Sequence, residues 1–275
     1  MLRVHYAGWS TFRLALAGGP TLVLDPCISP LLDDPHAMPE DCVGDVVLLT
    51  HGHHEHIRDA HRVARWHDGP FVAPPQVVAF LEEVRHIDSR RLATIQPDET
   101  LEFDGFRVTA REFPHLEKHD VAGKVAILKS DNPLGAPSIL AKFAKNIALS
   151  YLVIRKQPEH GPFFAYDLEF DDGPRVFFTC EAFTQLLDPD VVKGWAAGRP
   201  IDLAIVGVES GHEEAAGVLT DALAPKTAIA AAVHAPFERF YGKPPVQPER
   251  WVDGRANRAF WTPGRRERFE SPVAE

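Results

Sequence analysis

Residues 50–56 read Thr50-His51-Gly52-His53-His54-Glu55-His56, four imidazoles and a carboxylate in one short stretch. Imidazole nitrogen and carboxylate oxygen are the donors that borderline divalent cations prefer. The stretch closes the run Asp45-Val46-Val47-Leu48-Leu49-Thr50, whose continuous apolar character fits a strand buried on both faces. A loop at the carboxyl end of such a strand can converge several ligands on one point, and Gly52 is expected to let the backbone turn sharply there. One loop cannot complete a metal shell, so other elements must contribute. His115 follows a strand expected to end at Glu112, Glu181 follows one expected over Arg175–Thr179, and His234 follows one over Thr227–Val233. Three separate strands each deliver a ligand just past their carboxyl end. His119 is a weaker alternative to His115 because it lies farther along the chain. No Ser-His-Asp arrangement stands out, and Gly207-Val208-Glu209-Ser210-Gly211 lacks the lysine and spacing of a phosphate-binding loop.

These ligands need a scaffold of strands. Val4, Tyr6 and Thr11 to Leu16 lead through Gly18-Gly19-Pro20 into a second β-rich run, Thr21 to Leu24, which stops at Asp25-Pro26. Residues 27–44 read as a Pro- and Asp-rich loop. A helix is expected from Ile57, with apolar residues at Ala60, Val63 and Ala64, and another over Pro75–Arg85, with proline in its first turn. Asp104-Gly105 should close a hairpin between Leu101–Phe103 and Phe106–Glu112. Further strands are expected at Ile147–Arg155, Phe163–Phe170, Arg175–Thr179, Ile201–Val208 and Thr227–Val233. A helix over Glu213–Leu223 places acids in its first turn, where they suit the dipole. The tail beyond Phe240 shows no clear period. Many strands with interposed helices predict a layered α/β domain with sheets packed on each other and helices outside. No linker splits the chain, so residues 1–275 read as a single domain, with a probable insertion at 117–146 that carries a short amphipathic helix.

Composition limits the partners. With 29 Lys plus Arg against 39 Asp plus Glu, the formal charge is −10, and the only basic cluster is Arg265, Arg266 and Arg268. Nucleic acid is therefore not an expected partner. No stretch is apolar for long enough to span a membrane. Three cysteines (Cys27, Cys42 and Cys180) are too few for a disulfide framework, and the first ten residues read as strand and turn instead of a leader, so the expected compartment is the cytoplasm. A small-molecule substrate is expected, and a homo-oligomer is left open.

Taken together, the motifs resemble the metallo-β-lactamase-fold hydrolases, in particular the lactonase-like and phosphodiesterase-like proteins of the ascorbate-lactonase type. The resemblance runs along almost the whole chain. Gly8, Phe12 and Leu22-Val23-Leu24-Asp25-Pro26 are similar to that group's opening strands, and Leu48 to His56 to its metal motif. Phe177-Phe178-Thr179-Cys180-Glu181 is similar to its Gly-Asp-Thr segment, Ser210-Gly211-His212-Glu213-Glu214-Ala215 to a helix start, and Ala231-Ala232-Val233-His234 to its closing histidine. The resemblance implies a four-layer αββα sandwich with the site along the edge where the two sheets meet. It implies two divalent ions, with zinc the first expectation and manganese or iron the alternatives. His51, His53 and His115 would hold one ion, Glu55, His56 and His234 the other, and Glu181 would bridge them. His54 is the variable position of the motif and is expected to point away.

This chain departs from the pattern at three positions: Glu55 and Glu181 stand where the family has Asp, and Cys180 where it has Gly. The longer carboxylates bear mainly on the second ion and suit a harder cation such as Mn²⁺ or Fe²⁺. The resemblance implies a hydrolase that turns a metal-activated water on a small ester, lactone or phosphodiester, with Glu55 orienting that water or moving its proton. Two other functions fit the same residues: a di-iron redox or oxygenase protein, and a non-catalytic binding protein with a degraded second site. The residues considered for a substrate pocket are Trp9, Phe143, Phe183, Phe237 and Tyr241, with Arg239.

Overall fold

The structure is a computed structural model; it describes residues 1–28, 38–114, 158, 161–181, 187–233, 235, 244–252, 257–261 and 268–271. The expected insertion at 117–146 and strand at 147–155 lie outside these residues, as do His115, His119 and His234.

The first half supplies six strands of one seven-stranded sheet. Strands β1 (Leu2–Gly8), β2 (Thr11–Leu16) and β3 (Thr21–Leu24) form an antiparallel meander, and β4 (Val46–Leu48), β5 (Phe71–Ala73) and β6 (Leu92–Thr94) continue it in parallel. The second half repeats this plan. Antiparallel β7 (Thr100–Phe103), β8 (Phe106–Phe113), β9 (Phe163–Phe170) and β10 (Arg175–Thr179) are followed by parallel β11 (Leu203–Gly207), β12 (Thr227–Ala231) and β13 (Arg258–Trp261). The last strand, β14 (Arg268–Ser271), crosses back to pair with β1.

Three apolar clusters define four layers. Between the sheets, Val4, Phe12, Leu14, Leu22, Leu24 and Leu48 meet Val108, Tyr166, Phe178, Ile205 and Ile229. On the outer face of the first sheet, Val23, Val47 and Phe71 pack with Ile57 of α1 (His54–Ile57), with Ala60 and Val63 of α2 (Ala60–Val63), and with Val77 and Leu81 of α3 (Pro75–Glu83). On the outer face of the second, Phe177, Val206 and Ala230 pack with α4 (Pro189–Trp195), α5 (Glu213–Leu223) and Trp251 of α6 (Pro248–Val252). Alternate residues of β4 and β11 thus face opposite apolar layers, which is why these strands read as unbroken apolar runs. This is the αββα sandwich expected from the sequence.

Three local expectations change. The helix expected from Ile57 begins earlier and is split, so Glu55 and His56 lie on the one-turn helix α1 and not in a loop. Ser10 Oγ donates to the Glu55 carbonyl at 3.2 Å, which engages an acceptor that a continuing helix would use. The tail is not aperiodic, because β13 and β14 extend one sheet each. Gly52 is not among the residues with positive φ. Its lack of a side chain makes room instead: a Cβ there would lie 2.7 Å from Cγ of Pro158.

Candidate metal centre

The site forms where the carboxyl ends of β3, β4 and β10 meet, so both sheets contribute. Backbone bonds tie the sheets together at this edge: Phe164 N–H, on β9, donates to the Thr50 carbonyl at 3.0 Å. The Tyr166 hydroxyl donates to the Leu49 carbonyl at 2.7 Å. The histidine segment is therefore held from the opposite sheet as well as by its own strand.

Asp25 lies at the centre of this arrangement. It is fully buried, with a left-handed backbone (φ 43°) that Asp tolerates better than most residues. Its carbonyl accepts the Thr11 hydroxyl at 3.1 Å and shares the single Ser10 hydroxyl proton, 3.1 Å away, with the Glu55 carbonyl. Its carboxylate accepts Thr50 N–H at 2.8 Å, the Thr50 hydroxyl at 2.7 Å and His56 Nδ1 at 2.8 Å. A threonine hydroxyl has one proton. Because that proton goes to Asp25, Thr50 Oγ1 meets His51 Nδ1, 2.9 Å away, as an acceptor, and Nδ1 must carry the hydrogen. One buried carboxylate thus fixes Nδ1–H on both histidines and turns both Nε2 atoms toward Glu181. His56 Nε2 lies 3.4 Å and His51 Nε2 3.9 Å from Glu181 Oε1.

Glu181 is itself buried, and its carbonyl accepts the Thr179 hydroxyl at 2.8 Å. Two ligand triads share it: His51, His53 and Glu181, and Glu55, His56 and Glu181. In each, one donor atom per residue lies within 4.8 Å of the others. A third grouping joins His51 and His56 to Cys180. His53 and Glu55 are half-exposed while His51, His56 and Glu181 are buried, so the cluster opens to solvent on the side of His53 and Glu55. The ring of Phe163 lies 4.9 Å from that of His51 and 5.7 Å from that of His53.

The charges favour a cation. Burial pushes the His56 pKa down, but the Asp25 carboxylate, supported by Glu181 and Glu55, outweighs this and raises it to about 9. A cation held by Nε2 would have to replace the proton there, opposite Glu181. Burial, with Asp25 and Glu181 nearby, keeps the Cys180 thiol well above its ordinary range. Imidazole Nε2 atoms with fixed tautomers, opposite carboxylate oxygens, form a donor set that fits a borderline divalent ion.

Of the seven ligands expected from sequence, the described residues bring five together: His51, His53, Glu55, His56 and Glu181. The other two, His115 and His234, lie outside them. Asp25 and Thr50 were missed as functional residues. The signal was present in Asp25-Pro26, an acid ending an apolar strand, but only the fold brings it to His56. Trp9, considered for a pocket, is fully buried; Phe143, Phe183, Phe237, Tyr241 and Arg239 lie outside the described residues.

No protein-family model matches the chain. It is 29% identical over 136 residues to the UPF0173 metal-dependent hydrolase Ta0764 of Thermoplasma acidophilum, covering 49% of this chain and 54% of that protein. The chain spans about half or less of the length of the first curated relatives it matches. Among solved structures it superposes on Igni18, a metallo hydrolase from Ignicoccus hospitalis, with TM-score 0.59 and 16% identity, over 98% of this chain and 99% of that one. It also superposes on the metallo-β-lactamase fold protein YhfI of Bacillus subtilis, with TM-score 0.54 and 14% identity, over 98% and 100%. The two sheets, their helical outer layers and these superpositions define the chain as a metallo-β-lactamase-fold protein. In sequence it is similar to metal-dependent hydrolases.

Proposed function

We propose that the chain is a metal-dependent hydrolase that works on a small ester, lactone or phosphodiester through two divalent ions. His51, His53 and His115 would hold one ion and Glu55, His56 and His234 the other, with Glu181 available to both. The observation that carries this reading is the sharing of Glu181 by two separate triads. Zinc, manganese or iron would polarise the substrate oxygen and make water acidic enough to supply a nucleophile near neutral pH.

The protein's own part is positioning and proton movement. Asp25 and Thr50 keep the His51 and His56 rings oriented with Nε2 into the centre. Ser10 fixes the Glu55 backbone at the open side. The Glu55 carboxylate there accepts the proton lost by the attacking water and returns it to the leaving oxygen. The Phe163 ring, beside His51 and His53, gives the centre one apolar side.

The same reading treats residues 1–275 as one working domain. Among the described residues no helix is long and apolar enough to cross a membrane. Three buried free thiols suit a reducing compartment such as the cytoplasm.

The test is a panel of esters, lactones and phosphodiesters assayed with added Zn²⁺ or Mn²⁺. Turnover is expected in the native chain and is expected to disappear in His51→Ala and His56→Ala proteins that remain folded. Full activity in a metal-free His51→Ala protein would sink the reading. Two equivalents of iron with a visible chromophore, and no hydrolysis, would move the assignment to redox chemistry, which the glutamate-rich second triad also suits.

A further inference from the structure

Cys180 stands at the end of β10, between Thr179 and the proposed bridging Glu181, and is 4% exposed. Its Sγ lies 3.2 Å from Thr50 Oγ1 and 3.7 Å from His51 Nδ1. The Thr50 hydroxyl gives its one proton to Asp25, so Oγ1 faces the other side with lone pairs alone. One lone pair receives His51 Nδ1–H and the other is left to the Cys180 S–H. The threonine oxygen is then fully used: one donation and two acceptances. The sulfur also sits against the ring edge that carries Nδ1.

The backbone at Cys180 has little freedom. A Cβ on Gly207 of β11 would fall 1.7 Å from the Cys180 carbonyl oxygen, so the two chains touch where no side chain fits. The side chain packs into the cluster between the sheets, with Phe178, Val233 and Ala231. The thiol is therefore placed by the fold, at the Nδ1 edge of the His51 ring.

We propose that Cys180 is a positioning residue for His51: with Thr50, whose proton is already committed to Asp25, it holds the ring in the orientation that would present Nε2 to an ion. The inference rests on reading His51 as a ligand. Without the sulfur, one lone pair of Thr50 is released and space opens beside the ring, so the orientation that presents Nε2 loses one of its two supports. The sulfur itself does not bind the ion.

The test compares the native chain with Cys180→Ala and Cys180→Ser, the second keeping an O–H donor. Three quantities are read: Zn²⁺ affinity by chelator competition, the absorption spectrum of the Co²⁺-loaded protein, and the ¹⁵N shifts of the His51 ring in metal-free protein. Cys180→Ala is expected to weaken Zn²⁺ by about 10-fold, the lower end of what loss of such a supporting contact brings. It should also move the His51 ring ¹⁵N signals from their native positions as the ring loosens against Thr50, and Cys180→Ser should restore most of both. The native Co²⁺ spectrum should show no sulfur-to-metal charge transfer. A charge-transfer band abolished by Cys180→Ser would make the thiol a ligand and overturn the proposal. Unchanged affinity and unchanged His51 shifts in Cys180→Ala would reduce Cys180 to core packing. If the chain binds no metal at all, the function above fails, but the ring signals still decide the role of Cys180.

Discussion

At the scale of single residues, the controlling group is Asp25. It accepts three hydrogen bonds, from Thr50 N–H, the Thr50 hydroxyl and His56 Nδ1, and through Thr50 it also governs His51. Asp25→Asn keeps the shape but removes the charge and places an NH₂ where an acceptor is needed. Metal affinity is expected to fall about 10–100-fold, as measured by competition with a chelator. The His56 pKa in metal-free protein should also drop from its raised value, as followed by NMR titration, because Asp25 is the main influence that opposes burial there. The clustering of this segment was legible in the sequence because four histidines and a glutamate within residues 51–56 have few structural reasons to occur together. Asp25 was not, because a lone acid before a proline has many uses. Its role depends on a contact across 31 residues that only the pairing of β3 with β4 creates.

At the scale of elements, the site depends on where β10 stops. Gly207 sits against the Cys180 carbonyl, and a Cβ there would be 1.7 Å from that oxygen, with backbone and not a flexible side chain as the obstacle. Gly207→Ala should push β10 and β11 apart, destabilise the fold by about 1–3 kcal/mol and shift Glu181 away from the histidines. A fall in the urea midpoint together with weaker metal binding would show both effects. Most elements were legible where they are long or fully buried: the helix expected over Glu213–Leu223 is found with those bounds, and β9 and β10 likewise. β5 and β6 were not read because three residues carry too little period, and their pairing supplies what local pattern does not. The split between α1 and α2 was equally unreadable, since it involves Ser10, 45 residues away from Glu55.

At the scale of the whole molecule, the chain makes the same half-sheet plan twice and closes it with its tail, β13 on one sheet and β14 on the other. That closure was invisible in a segment mixing Gly, Pro, Arg and Trp, although the αββα layering itself followed from the strand and helix content. Stability of the whole should depend on pH through His67, buried beside Phe71, whose pKa is lowered chiefly by burial and further by Arg91. A histidine depressed in the fold binds its proton more readily when unfolded. Stability is thus complete above the ordinary value near 6.5 and lost as pH falls from there toward the lowered folded value. Denaturation midpoints measured from pH 7 downward should decline, and His67→Gln should flatten that decline.

A pair of ions would need Glu181 in common. The most direct measurement is elemental analysis of the protein purified from metal-supplemented medium, with Glu181→Ala prepared alongside. Close to two equivalents of divalent metal per chain are expected in the native protein, as in other two-metal sites, with a clear loss in the variant. A native protein that carries no metal, or a Glu181→Ala protein that retains all of it, would rule out a two-ion centre built on Glu181.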